Sequence, residues 1–118
     1  MSAHFRVSQL FVCLLALAFV LTVGMRSARA GDVKAGVKKA LMCQACHGLD
    51  GLSKVPDAPN IAGQLEPYLV AQLQAFKSGA RKNDAMSVVA SSLSDQDVED
   101  LAAYYSAIEV QVVKTPER

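Results

Sequence analysis

The 118-residue chain contains no tryptophan, only 6% aromatic residues, two histidines and three cysteines, and its charges nearly cancel at a formal +1. Each shortage excludes something. Near-neutrality is not the balance of a nucleic-acid binder, which concentrates Lys and Arg. Few large side chains mean little apolar volume for an unaided core in a chain this short. No segment alternates apolar and polar residues with a period of two, which argues against half-buried strands, and no internal repeat points to a solenoid. Two histidines and three cysteines leave little scope for a closed zinc site. With His4 and Cys13 in an N-terminal segment expected to be removed, Cys43, Cys46 and His47 are one ligand short of four.

That N-terminal segment reads as a secretory leader over residues 1 to 30. Arg6 supplies a short positive region, residues 10 to 23 are almost wholly apolar, and Ala28-Arg29-Ala30 forms a small-x-small cleavage pattern. Gly31 is therefore the expected mature N-terminus, and residues 31 to 118 the single functional domain. No twin-arginine pair is present, so export unfolded is expected, to the periplasm or an equivalent oxidising compartment. The alternative is a retained anchor, because the apolar run is near the lower limit of about 17 residues for a membrane span. A lipoprotein reading through Cys13 fits less well, since that cysteine sits inside the run behind bulky Val12. Cleavage takes three of the 12 basic residues and none of the 11 acidic ones, for a mature formal charge of −2.

What the chain does have is Cys43-Gln44-Ala45-Cys46-His47. Two cysteines three apart, followed at once by histidine, form the attachment signature of a c-type haem. On a helical turn, positions i and i+3 point to one side, so both thiols can form thioethers with one haem edge. The next residue, His47, is then placed under the porphyrin, where its imidazole can ligate iron. A thioredoxin-like redox pair needs a strand before the motif and a βαβ pattern around it, and neither is visible. A structural disulfide leaves His47 unexplained. A flat, mostly apolar macrocycle would also supply much of the burial that so small a core lacks.

Around the motif, apolar spacing predicts helices. Asp32 is the expected N-cap of the first, in which Val33, Val37, Ala40 and Leu41 recur at helical intervals and Gly36 needs a reason, such as close approach of another helix. Gly48, Gly51, Pro56 and Pro59 break any period between 48 and 64. A second helix is expected from Glu66-Pro67 to Gly79, with Leu69, Leu73, Phe76 and Tyr68 on its apolar side. A polar loop over residues 80 to 85 then leads to Met86, and residues 87 to 92 suggest a brief helical turn. Ser94-Asp95-Gln96-Asp97 resembles a capping box with Asp in the place of Glu. Val98, Leu101, Ala102, Tyr105 and Ile108 follow on one face. The expected fold class is all-α.

Haem iron has two axial positions, and no second histidine survives cleavage. The remaining soft donors are Met42 and Met86. Met42 is tied to the turn that carries His47. Met86 lies far enough along the chain to reach the other face, which makes it the expected sixth ligand; an open or labile sixth site is the alternative.

Together these residues resemble the class I cytochrome c family, in the form of a small bacterial monohaem cytochrome similar to one half of its dihaem relatives. The resemblance spans residues 31 to 118. It rests on Gly36, on the motif with Gly48, on residues 59 to 64, on Tyr68-Leu69, Gln72-Leu73 and residues 75 to 79, on Arg81 and Met86, and on residues 93 to 95 leading to 101 to 105. It implies a cytochrome c-like fold of about three main helices wrapped around one covalently bound haem c. It pairs Gly36 with Tyr104 or Tyr105 at a helix crossing and directs the Pro59 carbonyl to the proximal imidazole. It also implies polar contacts from Arg81 and Asn83 to the haem edge or ligand loop. With His47 and Met86 on iron no substrate position remains, so the expectation is a one-electron carrier rather than an enzyme. Its donor would be a redox protein such as a quinol-oxidising complex and its acceptor a terminal oxidase or reductase. Two rivals remain: a small haem subunit of a larger oxidoreductase, and a haem enzyme or ligand sensor.

Overall fold

Asp32 starts the first helix by filling donors that a helix N-terminus leaves open. Its carboxylate accepts from the backbone N–H of Lys34 at 2.7 Å and of Ala35 at 3.0 Å. The computed structural model describes residues 30–116, so the expected leader, apart from Ala30, lies outside the described residues. Five helices follow: α1 (Val33–Ala40), α2 (Gln44–His47), α3 (Glu66–Ser78), α4 (Asp84–Ser91) and α5 (Asp95–Ser106). Among the described residues there is no strand, and no helix is long and apolar enough to cross a membrane. The fold is all-α, as the patterning predicts.

Local chemistry sets the boundaries. Pro67 occupies the first turn of α3, where its missing N–H leaves no bond unmade, and Gly79 closes the helix in the left-handed region at φ 78°. The segment after it departs from expectation. α4 is a helix of eight residues rather than a brief turn. Asn83 caps it, its side-chain oxygen accepting from the N–H of Ala85 at 3.1 Å and of Met86 at 2.9 Å. The polar string before Met86 therefore ends in a cap and an acidic first turn, and Met86 lies inside the helix rather than at the end of a loop. In α5 both bonds of the capping box form: Ser94 N–H to Asp97 Oδ2 at 2.9 Å and Asp97 N–H to Ser94 Oγ at 3.1 Å. Ile108 falls just beyond that helix, whose C-cap is Ala107.

α1 packs across α5, α5 also meets α3, and α3 carries α4. The core joins Ala40, Leu69, Leu93, Val98, Leu101, Ala102 and Tyr105, with Cys43, Ile61, Leu73 and Ile108 among the partly buried residues against it. The apolar pattern of α1 suggests an inward valine face, but the structure reverses it. Val33, Val37 and Leu41 are 43%, 44% and 56% exposed, while Gly36 and Ala40 are buried. The crossing is too close for branched side chains: a Cβ on Gly36 would lie 2.1 Å from the Asp100 carbonyl oxygen and 2.6 Å from Tyr104 Cβ. Of the two tyrosines, Tyr104 meets Gly36.

An ion pair crosses the same contact, Lys39 Nζ to Asp97 at 2.8 Å. Lys39, then the Ser94 N–H and hydroxyl, hold the Asp97 carboxyl down at about 2. A depressed carboxyl pKa stabilises the fold above its unfolded value of about 3.9, and that contribution disappears as pH falls toward 2. The pair is partly exposed, so Asp97→Asn should cost no more than ~1 kcal/mol at neutral pH after solvent screening. Thermal melts at pH 7 and pH 2 check this: the gap between wild type and variant should narrow at the lower pH.

Candidate haem site

The motif turn is wound by its own backbone. The Cys43 carbonyl accepts from the N–H of Cys46 at 3.2 Å and of His47 at 2.9 Å, and the Gln44 carbonyl accepts from Gly48 at 3.0 Å. Positions 43 and 46 thereby come to one side of a single turn. Both are free thiols, Cys43 half-buried and Cys46 exposed. Burial is the largest influence on the Cys43 thiol and pushes it up to about 11. Burial likewise holds the Tyr105 hydroxyl well above its ordinary range.

His47 is only 8% exposed, and its Nδ1 lies 2.9 Å from the Pro59 carbonyl oxygen. A carbonyl can only accept, so Nδ1 carries the hydrogen and the lone pair resides on Nε2. The ring is thus held in the tautomer and orientation a metal ligand needs. The irregular segment between 48 and 64 delivers that carbonyl. Lys54 N–H donates to the Cys46 carbonyl at 2.8 Å, Ser53 N–H to Asn60 Oδ1 at 2.7 Å, and the Gly51 carbonyl accepts from Ile61 at 2.8 Å and Ala62 at 3.1 Å. Gly63 N–H then donates to the Tyr105 carbonyl at 2.9 Å, joining the loop to α5.

Tyr104 and Tyr105 do more than pack. Their hydroxyls donate to the carbonyls of Leu49 at 2.7 Å and Gly48 at 3.0 Å, clamping the exit of the motif onto α5. Spacing identifies Tyr105 only as a core residue. The available signal is chemical: a buried tyrosine hydroxyl requires a partner.

Met86 lies in the first turn of α4, half-buried. Arg81 is anchored locally, its guanidinium donating to Gln72 Oε1 at 2.5 Å and lying 4.6 Å from the centre of the Phe76 ring. The Asn83 side-chain oxygen is engaged as the α4 cap.

This donor set suits covalently held haem. It combines two unbridged thiols on one turn with an adjacent imidazole whose Nε2 is the lone-pair nitrogen. Leu52, Val55, Leu65 and Tyr68, on segments that follow the motif, keep apolar surface exposed. The described residues hold no group of three His, Cys, Asp or Glu side chains arranged for a metal ion, which leaves the zinc reading without support.

A family model described as Cytochrome c matches residues 33–108. The chain belongs to the cytochrome c family. As a member it carries covalently bound haem c with its iron. It is 42% identical over 100 residues to cytochrome c4 of Pseudomonas aeruginosa, covering 83% of this chain and 50% of that protein. To cytochrome c-554(548) of Halomonas halodenitrificans it is 45% identical over 83 residues, covering 68% of this chain and 100% of the relative. The crystal structure of reduced recombinant cytochrome c4 from Pseudomonas stutzeri superposes with a TM-score of 0.65 at 46% identity, covering 70% of this chain and 48% of that one. This cytochrome thus spans about half the length of the cytochrome c4 proteins it matches.

Proposed function

We propose that this cytochrome is a periplasmic, monohaem one-electron carrier, with Cys43 and Cys46 bearing the haem and His47 and Met86 on either side of the iron. The observation that carries the reading is the 2.9 Å contact between His47 Nδ1 and the Pro59 carbonyl beside two free thiols. It directs Nε2, and no other histidine follows the leader. When bound, the haem supplies one-electron cycling between Fe(III) and Fe(II), and the protein sets how readily that occurs. A methionine thioether opposite histidine favours the reduced state relative to two imidazoles. Pro59 and the tyrosine clamp hold His47 and the motif in place, which keeps rearrangement between oxidation states small. A single Cys-x-x-Cys-His motif supports one haem per chain.

The apolar run over residues 10 to 23 followed by Ala28-Arg29-Ala30 supports export to the periplasm. The proposed donor is a quinol-oxidising complex or similar redox protein, and the acceptor a terminal oxidase or reductase. The charges that the sequence separates meet in the fold, Lys39 pairing with Asp97 and Lys77 with Asp95, so they do not form two opposite poles for orienting such encounters.

In the oxidised protein a weak long-wavelength sulfur-to-iron charge-transfer band is expected, and it should vanish in Met86→Ala. The reduced wild type should bind carbon monoxide slowly at neutral pH and the variant rapidly. A wild type without the band, or one that takes up carbon monoxide at once, would remove Met86 from the iron and with it most of the carrier reading.

A further inference from the structure

We propose that the amino terminus released at Gly31 by leader removal is an ammonium held by Asp100 and Gln96, which locks the start of the mature chain onto α5. The inference rests on the proposed cleavage after Ala30. Gly31 is pressed against α5: a Cβ there would lie 2.1 Å from the Glu99 carbonyl oxygen and 2.7 Å from Ala103 Cβ. The next residue reaches a buried carboxylate, Asp32 N–H donating to Asp100 Oδ1 at 2.8 Å. Asp100 is only 8% exposed, and the same oxygen accepts from Gln96 Nε2 at 2.7 Å.

That bond orients the glutamine. A carboxylate oxygen takes a donor, so Nε2 must face Asp100 and the amide cannot be reversed without losing the bond. Gln96 Oε1 is then a buried acceptor with no hydrogen-bond partner. Such an atom pays its full desolvation cost unless a donor reaches it.

Cleavage supplies the donor. A peptidase of the export machinery hydrolyses the Ala30–Gly31 peptide bond with one water. The hydroxyl goes to the Ala30 carbonyl carbon and the hydrogen to the Gly31 nitrogen. Transfer of the new acid's proton leaves a carboxylate on Ala30 and an ammonium on Gly31. One amide N–H becomes three N–H donors and a positive charge. Only the Gly31 Cα and carbonyl carbon separate this nitrogen from the Asp32 nitrogen already bonded to Asp100. An opposite charge within about 4–6 Å favours the protonated amine. Of the other charged groups near this end of the α1–α5 contact, Asp32 caps α1, Lys39 pairs with Asp97, Lys34 and Lys38 line the same groove, and Glu99 meets Gly31 through its backbone. Before cleavage the cluster has neither the charge nor the extra donors, so the lock forms only in the processed protein.

The test uses the mature holoprotein. Intact mass and N-terminal sequencing first establish whether the chain begins at Gly31. Competitive acylation at pH 8, read by mass spectrometry, then compares the α-amine with the exposed Lys82 and Lys114 as internal references. The α-amine should react about tenfold more slowly in wild type than in Asp100→Asn, and faster in Gln96→Leu than in wild type, with the lysines unchanged. A cooperative circular dichroism melt reports whether each variant folds; if Asp100→Asn does not, Gln96→Leu carries the comparison. A chain that starts at Gly31 but whose amine reacts equally fast in wild type and variants overturns the lock while leaving the cleavage reading intact. A chain that starts elsewhere overturns both.

Discussion

Replacing Cys43 and Cys46 together by alanine is expected to abolish covalent haem and cooperative folding at once. The polypeptide has little core of its own: among the described residues the largest fully buried side chains are Leu101 and Val98. Ordering the chain costs about 1–2 kcal/mol per residue, and apolar burial must offset most of that. Both cysteines precede His47 on a single turn, so their loss would free the turn as well as the haem edge. Cys43 also packs against the core, and its truncation removes that contact directly. Haem staining after denaturing electrophoresis should be absent in the double variant. Its circular dichroism melt should be broad, without the sharp transition of wild type. A single Cys46→Ala change should be milder, because that thiol is exposed and one thioether remains. A double variant that still melts cooperatively would show that the four helices of α1, α3, α4 and α5 support one another without the haem, and that its structural role is minor.

Gly36→Ala is the second change expected to be severe, although alanine is the better helix former by about 1 kcal/mol. The new methyl would sit 2.1 Å from a backbone oxygen of α5, which no side-chain rotation relieves, and 2.6 Å from Tyr104 Cβ. Separating the helices would pull Ala40 from the core and disturb the Asp32 to Asp100 bond and the Lys39 to Asp97 pair. Overpacking of this kind costs about 1–3 kcal/mol and more where backbone must move. At about 4–8 °C per kcal/mol for a domain of this size, the thermal midpoint should fall by roughly 10 °C or more. The charge-transfer band should persist at low temperature, since Met86 lies on α4, away from this crossing. A midpoint within a degree or two of wild type would mean that the α1–α5 contact is looser than the Gly36 geometry requires.

Much of this protein is legible in one dimension because its determinants are local. The five-residue motif places two thiols and an imidazole by covalent connectivity, so no tertiary information is needed to associate them with haem. Asp32, Pro67, Gly79 and the Ser94–Asp97 box mark helix ends by filling or omitting bonds within a few residues. The misread start of α4 has the same local origin: Asn83 and Asp84 suit a loop as well as a cap and first turn, and only the geometry of the Ala85 and Met86 N–H groups separates the two.

By itself, then, the sequence determined the all-α class, the caps at Asp32, Gly79 and the Ser94–Asp97 box, and the turn that sets two thiols beside an imidazole, since each depends on neighbours in the chain. Tertiary structure alone decided which face of α1 turns inward. Periodicity favours the valines there, but the closeness of the α5 backbone admits only Gly36 and Ala40. It also decided that Tyr104 and Tyr105 clamp Leu49 and Gly48, and that Gln96 Oε1 is buried without a hydrogen-bond partner. Those contacts join residues more than 50 positions apart or arise at a helix crossing. Their partners are set by the path of the folded backbone, which no local pattern encodes.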